Sequence, residues 1–155
     1  ELQATKDNRD SLIIRTSWVY SSFGKNFVKT MMRLMSEKKE ISVVNDQIGR
    51  PTYAADLAKT IFSIVFNSAD FIPGIFHYSN EGVISWYDFA LAIKEIGGYT
   101  CKVNPIPSSA YPVPAKRPHF SILNTSKIIN TFSIQIPEWR DSLQKCMQQL
   151  TSSSI

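Results

Sequence analysis

Apolar positions along this chain switch between short runs and helical stripes. Residues 11–15 (SLIIR) form a brief β-branched run behind the turn-like DNRD, the pattern of a buried strand. Phe27, Met31, Leu34 and Met35 recur at i, i+4, i+7 and i+8 and predict a helix over 25–39 whose stripe needs an apolar partner. Residues 41–44 (ISVV) read as a second strand, and the Gly- and Pro-bearing NDQIGRP as a loop. A helix over 55–67 follows, with Leu57, Ile61, Ile64 and Val65 inward and Asp56 in the first turn, where a negative charge meets the positive helix end. Residues 75–79 are a third strand. In SNEGVISWYDFALAIKEIGG, Ser85 reads as a helix cap with Asp88 three positions on, close to a capping box. Phe89, Ala92, Ile93 and Ile96 make that helix's stripe, and Gly97-Gly98 ends it.

The pattern then breaks. Pro105, Pro107, Pro112, Pro114 and Pro118 make residues 103–120 extended or looping chain. A last helix is expected over 137–150, with Pro137 in its first turn. Strands alternating with helices argue an α/β layer. The three or four strands are too few for a complete doubly wound sheet with its own cofactor crevice. The 155 residues suffice for one domain with a sizeable core, here taken as residues 1–150 with a disordered tail at 151–155.

Composition changes little. A net charge of +4 and pI near 9.1 are mildly basic, but Lys and Arg are scattered, which argues against nucleic acid and suits an anionic small ligand. Lys25, Lys29 and Arg33 line one helix side, most simply as a solvated face. Cys101 and Cys146 match no metal or redox spacing. No apolar run reaches the roughly 18 residues that span a bilayer. ELQATKDNRD has no signal-peptide pattern, so a cytoplasmic protein is expected. The glycines form neither G-x-G-x-x-G nor a P-loop. His77, flanked by apolar Phe76 and Tyr78, reads as structural, and there is no G-x-S-x-G elbow. The chain looks like half of a site.

LIIRTSWVYSSFGKNFVKTMMRLM, VVNDQIGRPTYAADLA, GIFHYSNEGVISWYDFALAI, AKRPHFSILNTSKI and PEWRDSL, in that order over residues 11 to 145, resemble the C-terminal half of the dTDP-4-dehydrorhamnose reductases. These enzymes belong to the extended short-chain dehydrogenase/reductase superfamily. The resemblance implies an incomplete Rossmann sheet of a few strands with four to five helices. Residues 1–20 would end the Rossmann-like part, Glu1 to Ala4 within a helix, and the rest would form a substrate-binding lobe. The family's Tyr-x-x-x-Lys pair is absent: the residues four after each Tyr are Gly24, Leu57, Gly82, Leu91, Val103 and Ala115. The catalytic residues and the Gly-rich loop are therefore expected upstream, on a missing N-terminal Rossmann lobe.

The resemblance further implies a dTDP-sugar with a keto group at carbon 4, reduced to dTDP-L-rhamnose with NADPH or NADH. No cofactor is expected on this portion alone. Trp18 would wall the sugar pocket, laying a flat face on the hexose; a structural Trp is the competing reading. Asn26 and the Phe27 amide, at a helix start, would hold the diphosphate or nucleoside, against a plain helix cap. Arg50 and Arg117 would meet the diphosphate, against surface arginines. Gln47 is a further substrate candidate, and Thr16 and Ser17 correspond to positions that approach the nicotinamide. Trp86 and Trp139 read as packing residues. Members sometimes dimerise, so a homodimer is among the implied partners. The alternatives are a non-catalytic regulatory relative of the same fold and a nucleotide-sugar epimerase or dehydratase.

Overall fold

The computed structural model describes residues 1–67, 72–111 and 117–152. Pro112, Pro114 and residues 153–155 lie outside them. Helix α1 (Leu2–Asp7) leads into β1 (Leu12–Thr16), and a short β2 (Val19–Tyr20) follows. Then come α2 (Phe27–Glu37), β3 (Glu40–Val44), β4 (Ile48–Gly49), β5 (Thr52–Tyr53) and α3 (Ala54–Asn67). After β6 (Gly74–Tyr78) and β7 (Ile84–Ser85) the chain forms α4 (Trp86–Gly97), β8 (Lys102–Ile106), α5 (Ser126–Phe132) and α6 (Trp139–Ser152). The strands pair two by two: β1 with β6, β2 with β5 and β3 with β8 in parallel, β4 with β7 antiparallel. Each parallel pair is separated in sequence by helix, as parallel pairing requires.

Two apolar clusters hold these pairs. The larger buries Val28, Met31 and Met35 of α2, Ile41 and Val43 of β3, and Phe89 and Ile93 of α4 against Leu143 and Met147 of α6. The smaller joins Ile64, Phe76, Tyr78 and Ile128 under the β1–β6 pair. β1 was expected to be fully buried, yet Leu12, Ile13 and Ile14 are only half-buried, because β6 is its one strand partner among the described residues.

The α4 boundaries follow the local signals. Ser85 Oγ accepts the Asp88 amide while the Asp88 carboxylate accepts the Ser85 amide, a complete capping box. Gly98 ends the helix in the left-handed conformation. Elsewhere the sequence pattern misled. Along α3, Asp56, Thr60 and Ile64 are buried at i, i+4 and i+8, whereas Ile61 and Val65, expected inward, are 43% and 60% exposed. The buried row is partly polar because Asp56 sits in a hydrogen-bonded seam; the apolar spacing was right for Ile64 and Leu57 and wrong for Ile61 and Val65. Helix α5 was not expected, which brings the helices among the described residues to six. Helix α6 starts at Trp139, after Pro137, and includes Thr151 and Ser152, which were assigned to a disordered tail. Much of the Pro-rich region is ordered: Pro105 lies in β8, opposite Val43. It is tolerated because β8 is an edge strand of its pair.

The seam sits where the two clusters meet. Asn80 is fully buried. Its Oδ1 accepts the Tyr53 amide at 2.8 Å, and its Nδ2 donates to Asp56 Oδ2 at 2.9 Å, to Ser142 Oγ at 3.0 Å and to the Pro137 carbonyl at 3.2 Å. Asn80→Ala leaves buried groups unpaired in three elements, so urea unfolding should show a loss of about 2–4 kcal/mol. On α3, Ile64→Ala should cost about 2–3 kcal/mol and Val65→Ala no more than about 0.5 kcal/mol in the same assay, the reverse of equal burial.

Candidate substrate cleft

The turn between β1 and β2 changes sheets, and Trp18 sits on it. Its φ of 49° is in the left-handed region, rare for a bulky residue and found mostly where surroundings enforce it. Neighbouring bonds hold the turn. Ser17 Oγ donates to the Arg50 carbonyl at 3.1 Å, Thr16 Oγ1 to Thr52 Oγ1 at 3.0 Å, and the Thr52 amide to the Trp18 carbonyl at 3.2 Å. β5 is thereby docked on β2, and β4 just before it pairs with β7, which runs directly into α4 at Trp86.

This route brings two indoles together. The rings of Trp18 and Trp86 are stacked, with centroids 3.6 Å apart and planes 13° from parallel. Phe27, at the start of α2, tilts against Trp86 at 4.6 Å. Gly49 lies against the Trp18 ring: a Cβ there would sit 2.6 Å from Trp18 Cε2, so any side chain would displace the indole.

The aromatic group forms one end of a cleft of about 730 Å³, within the usual range for small-molecule sites. Its long walls are α2, through Phe27, Met31 and Leu34, and β3, through Val43 and Val44. Gln47 and Arg117 close the aromatic end; Lys38 and Asn104 lie at the other. Arg117 belongs to a strap that runs beside β4: the Ile48 amide donates to the His119 carbonyl at 2.8 Å and the Ser121 amide to the Ile48 carbonyl at 2.9 Å. Asp46 braces the same corner. Its carboxylate accepts the Ser108 amide and hydroxyl, both at 2.9 Å, and its carbonyl meets His119 Nδ1 at 3.1 Å. The Ser108 amide, more than any other group, holds the Asp46 carboxyl below its ordinary range.

Trp18, Phe27, Gln47 and Arg117 thus share one concavity. Asn26 takes the competing role: its Oδ1 accepts the Lys29 amide at 3.2 Å, and its Nδ2 donates to the Ser21 carbonyl at 2.7 Å, which makes it the cap of α2. Arg50 is turned elsewhere, with Nη1 3.6 Å from Glu81 Oε2 and a side chain only 19% exposed. Thr16 and Ser17 each donate their hydroxyl proton to the Arg50–Thr52 segment, Thr16 to Thr52 Oγ1 and Ser17 to the Arg50 carbonyl. Of the basic row on α2, Arg33 pairs with Glu37 on the surface at 2.8 Å and Lys29 folds onto the Ser22 carbonyl. Trp139 packs edge-on against Phe89, as expected of a packing residue. Trp86 also packs, against Trp18, Phe27 and Phe89, but in addition it lines the cleft, which the packing reading did not include. Its helix-start position concealed this, because periodicity cannot distinguish a helix's first residue turned toward a neighbouring strand from one turned into the core.

Acidification should release the Asp46 corner. A carboxyl held low in the folded chain contributes stability above its ordinary pKa of about 4, and that contribution is lost as pH falls through the folded value. Protection of the Ser108 amide, measured by NMR exchange relative to the intrinsic rate at each pH, should fall over that range. Asp46→Ala should show the lowered protection already at neutral pH.

The family model for the RmlD substrate binding domain matches residues 1–152. The dTDP-4-dehydrorhamnose reductase of Escherichia coli strain K12 is 39% identical over 152 residues, covering 92% of this chain and 50% of that protein. The spore coat polysaccharide biosynthesis protein SpsK of Bacillus subtilis is 41% identical over 145 residues, covering 94% of this chain and 50% of that protein. Among solved structures, dTDP-4-dehydrorhamnose reductase from Bacillus anthracis in complex with NADP superposes with a TM-score of 0.86 at 37% identity, covering 96% of this chain and 51% of that one. The chain spans about half the length of the curated relatives it matches.

Proposed function

Because the chain belongs to the RmlD substrate-binding domain family, we propose that it is the substrate-holding part of a dTDP-4-dehydrorhamnose reductase, which converts dTDP-4-dehydro-L-rhamnose to dTDP-L-rhamnose with NADPH. The carrying observation is the convergence of Trp18, Phe27, Gln47 and Arg117 on one cleft of nucleotide-sugar size. Arg117 supplies the cationic donor fork that a diphosphate needs. Gln47, largely buried, supplies an amide that can both donate and accept. The aromatic end offers flat apolar surface to a base or a hexose. Arg50 and Asn26 are left out of the wall: one faces Glu81 and the other caps α2. One face of Trp18 is already covered by Trp86, so Trp18 meets ligand with its remaining surface rather than as an open platform.

NADPH supplies the hydride in such a reaction. The residues of this chain do not fit it as a holder: there is no glycine-rich phosphate loop, and the Thr16 and Ser17 hydroxyls donate inward. Cofactor and proton-donor groups therefore belong to sequence other than these 155 residues. What this chain contributes is binding and orientation, which alone lower a barrier substantially when the reacting carbonyl is held in line. The same reading carries the expectation of a cytoplasmic enzyme; among the described residues no helix is long and apolar enough to cross a membrane.

Calorimetric titration of the chain with dTDP and UDP, followed in parallel by tryptophan fluorescence, tests the reading. dTDP should bind and quench, with Arg117→Ala weakening it about tenfold, as expected for loss of a charged hydrogen-bonding group. UDP binding as tight as dTDP, or no dTDP response at all, would count against a dTDP-sugar site.

A further inference from the structure

Trp18 combines features that would not persist without support. Its backbone is left-handed, it stands at a turn between two sheets, and it is only partly buried. A left-handed backbone in a bulky residue is strained and survives where the surroundings over-determine it. Two neighbours do so. Gly49 provides the space that a Cβ would fill, and Trp86 lies parallel on the ring at 3.6 Å between centroids. Trp86 is itself fixed twice: from below by the Ser85–Asp88 capping box that starts its helix, and from the side by Phe27. Both indoles border the same cleft.

We propose that Trp86 is a positioning residue for the cleft, holding the Trp18 indole against Gly49 in the orientation that a bound nucleotide sugar meets. This deepens the functional reading above and rests on it for the identity of the ligand. The consequence is that Trp18 and Trp86 act as one unit: removing the support and removing the supported ring should have nearly the same effect, not twice the effect. A phenyl ring at position 86 keeps a flat partner for Trp18, whereas a methyl group does not.

The test has two arms. In a Trp139→Phe background, Trp18 is the sole tryptophan once Trp86 is replaced, and excitation at the red edge of the indole band selects it over the tyrosines. With Trp86→Phe its anisotropy should stay high and its acrylamide quenching low; with Trp86→Ala, anisotropy should fall and quenching rise at least about twofold. Unfolding midpoints and the far-ultraviolet helix signal identify any variant that fails to fold, and Trp86→Phe carries the comparison if the alanine variant does: a Trp18 as mobile in the phenylalanine variant as in unfolded chain then overturns the proposal. Equal anisotropy in both folded variants also overturns it. This arm needs no ligand, so its outcome stands even if dTDP fails to bind and the functional reading falls.

The second arm is calorimetric titration with dTDP of the Trp18→Phe, Trp86→Ala and doubly substituted chains, each alone changing affinity about tenfold. The double variant should be no more than about threefold weaker than Trp18→Phe, the non-additivity expected of residues in contact. Strictly multiplying losses, near a hundredfold, would mean that each ring touches ligand independently and would sink the positioning role.

Discussion

A buried amide holds the molecule together at its seam. Asn80 connects the end of β6, the start of α3, the Pro137 loop and α6, with every polar atom of its side chain bonded and none reaching water. A buried polar group without partners costs several kcal/mol, so this amide accepts only an arrangement in which all four elements are in place. The Asp56 carboxylate is the natural hub for it. It takes bonds from Asn80 and from Ser142 while lying in the first turn of α3, where the helix dipole favours negative charge. Apolar packing alone would allow the two clusters to slide past one another; directional bonds do not.

The cleft inherits its geometry from that seam. Asn80 also donates its backbone amide to the Pro51 carbonyl at 3.0 Å, which fixes the segment from Gly49 to Tyr53. That segment carries β5, and β5 holds β2 and the carbonyl of Trp18. On its other side β4 holds β7, from which Trp86 begins α4. One polar hub therefore sets the distance between two indoles that are 68 positions apart in sequence. The Gln47 and Arg117 side of that same end is held by Asp46, which draws the end of β8 and the His119 strap to the loop that bears Gln47.

Four polar groups, two at the β1–β2 turn and two beyond it, have a different function from the one that their types suggest. Thr16, Ser17, Arg50 and Asn26 are good ligand-binding residues by chemistry, but each is drawn into a local bond: a hydroxyl to a hydroxyl, a hydroxyl to a carbonyl, a guanidinium to Glu81, an amide to a helix start. The Thr16 and Ser17 bonds shape the turn on which Trp18 stands, and the Asn26 bond fixes the start of α2. The residues that remain on the cleft wall are mostly aromatic or aliphatic, with Gln47 and Arg117 as polar groups beside the indoles and Thr30, Lys38, Glu40, Ser42 and Asn104 as the others. Apolar walls with few convergent polar groups are the common form of a small-molecule site.

The sequence alone determined the strands β1, β3 and β6, the helices α2, α3 and α4 to within a few residues, and the capping box at Ser85, because these depend on period and on groups three or four residues apart. It also identified the family through motifs that need no contact to be read. Only the tertiary structure decided that α3 turns Ile61 and Val65 outward, that Arg50 faces Glu81, that Asn26 is a cap and that Trp86 belongs to the cleft. Three of these depend on a partner distant in the chain: Asp56 needs Asn80, Arg50 needs Glu81, and Trp86 meets Trp18 only after four short strands have paired; the Asn26 cap is local, but its type alone suited a ligand equally well. Spacing along a chain records which residues share a face; which face is covered, and by what, is settled only when the other elements arrive.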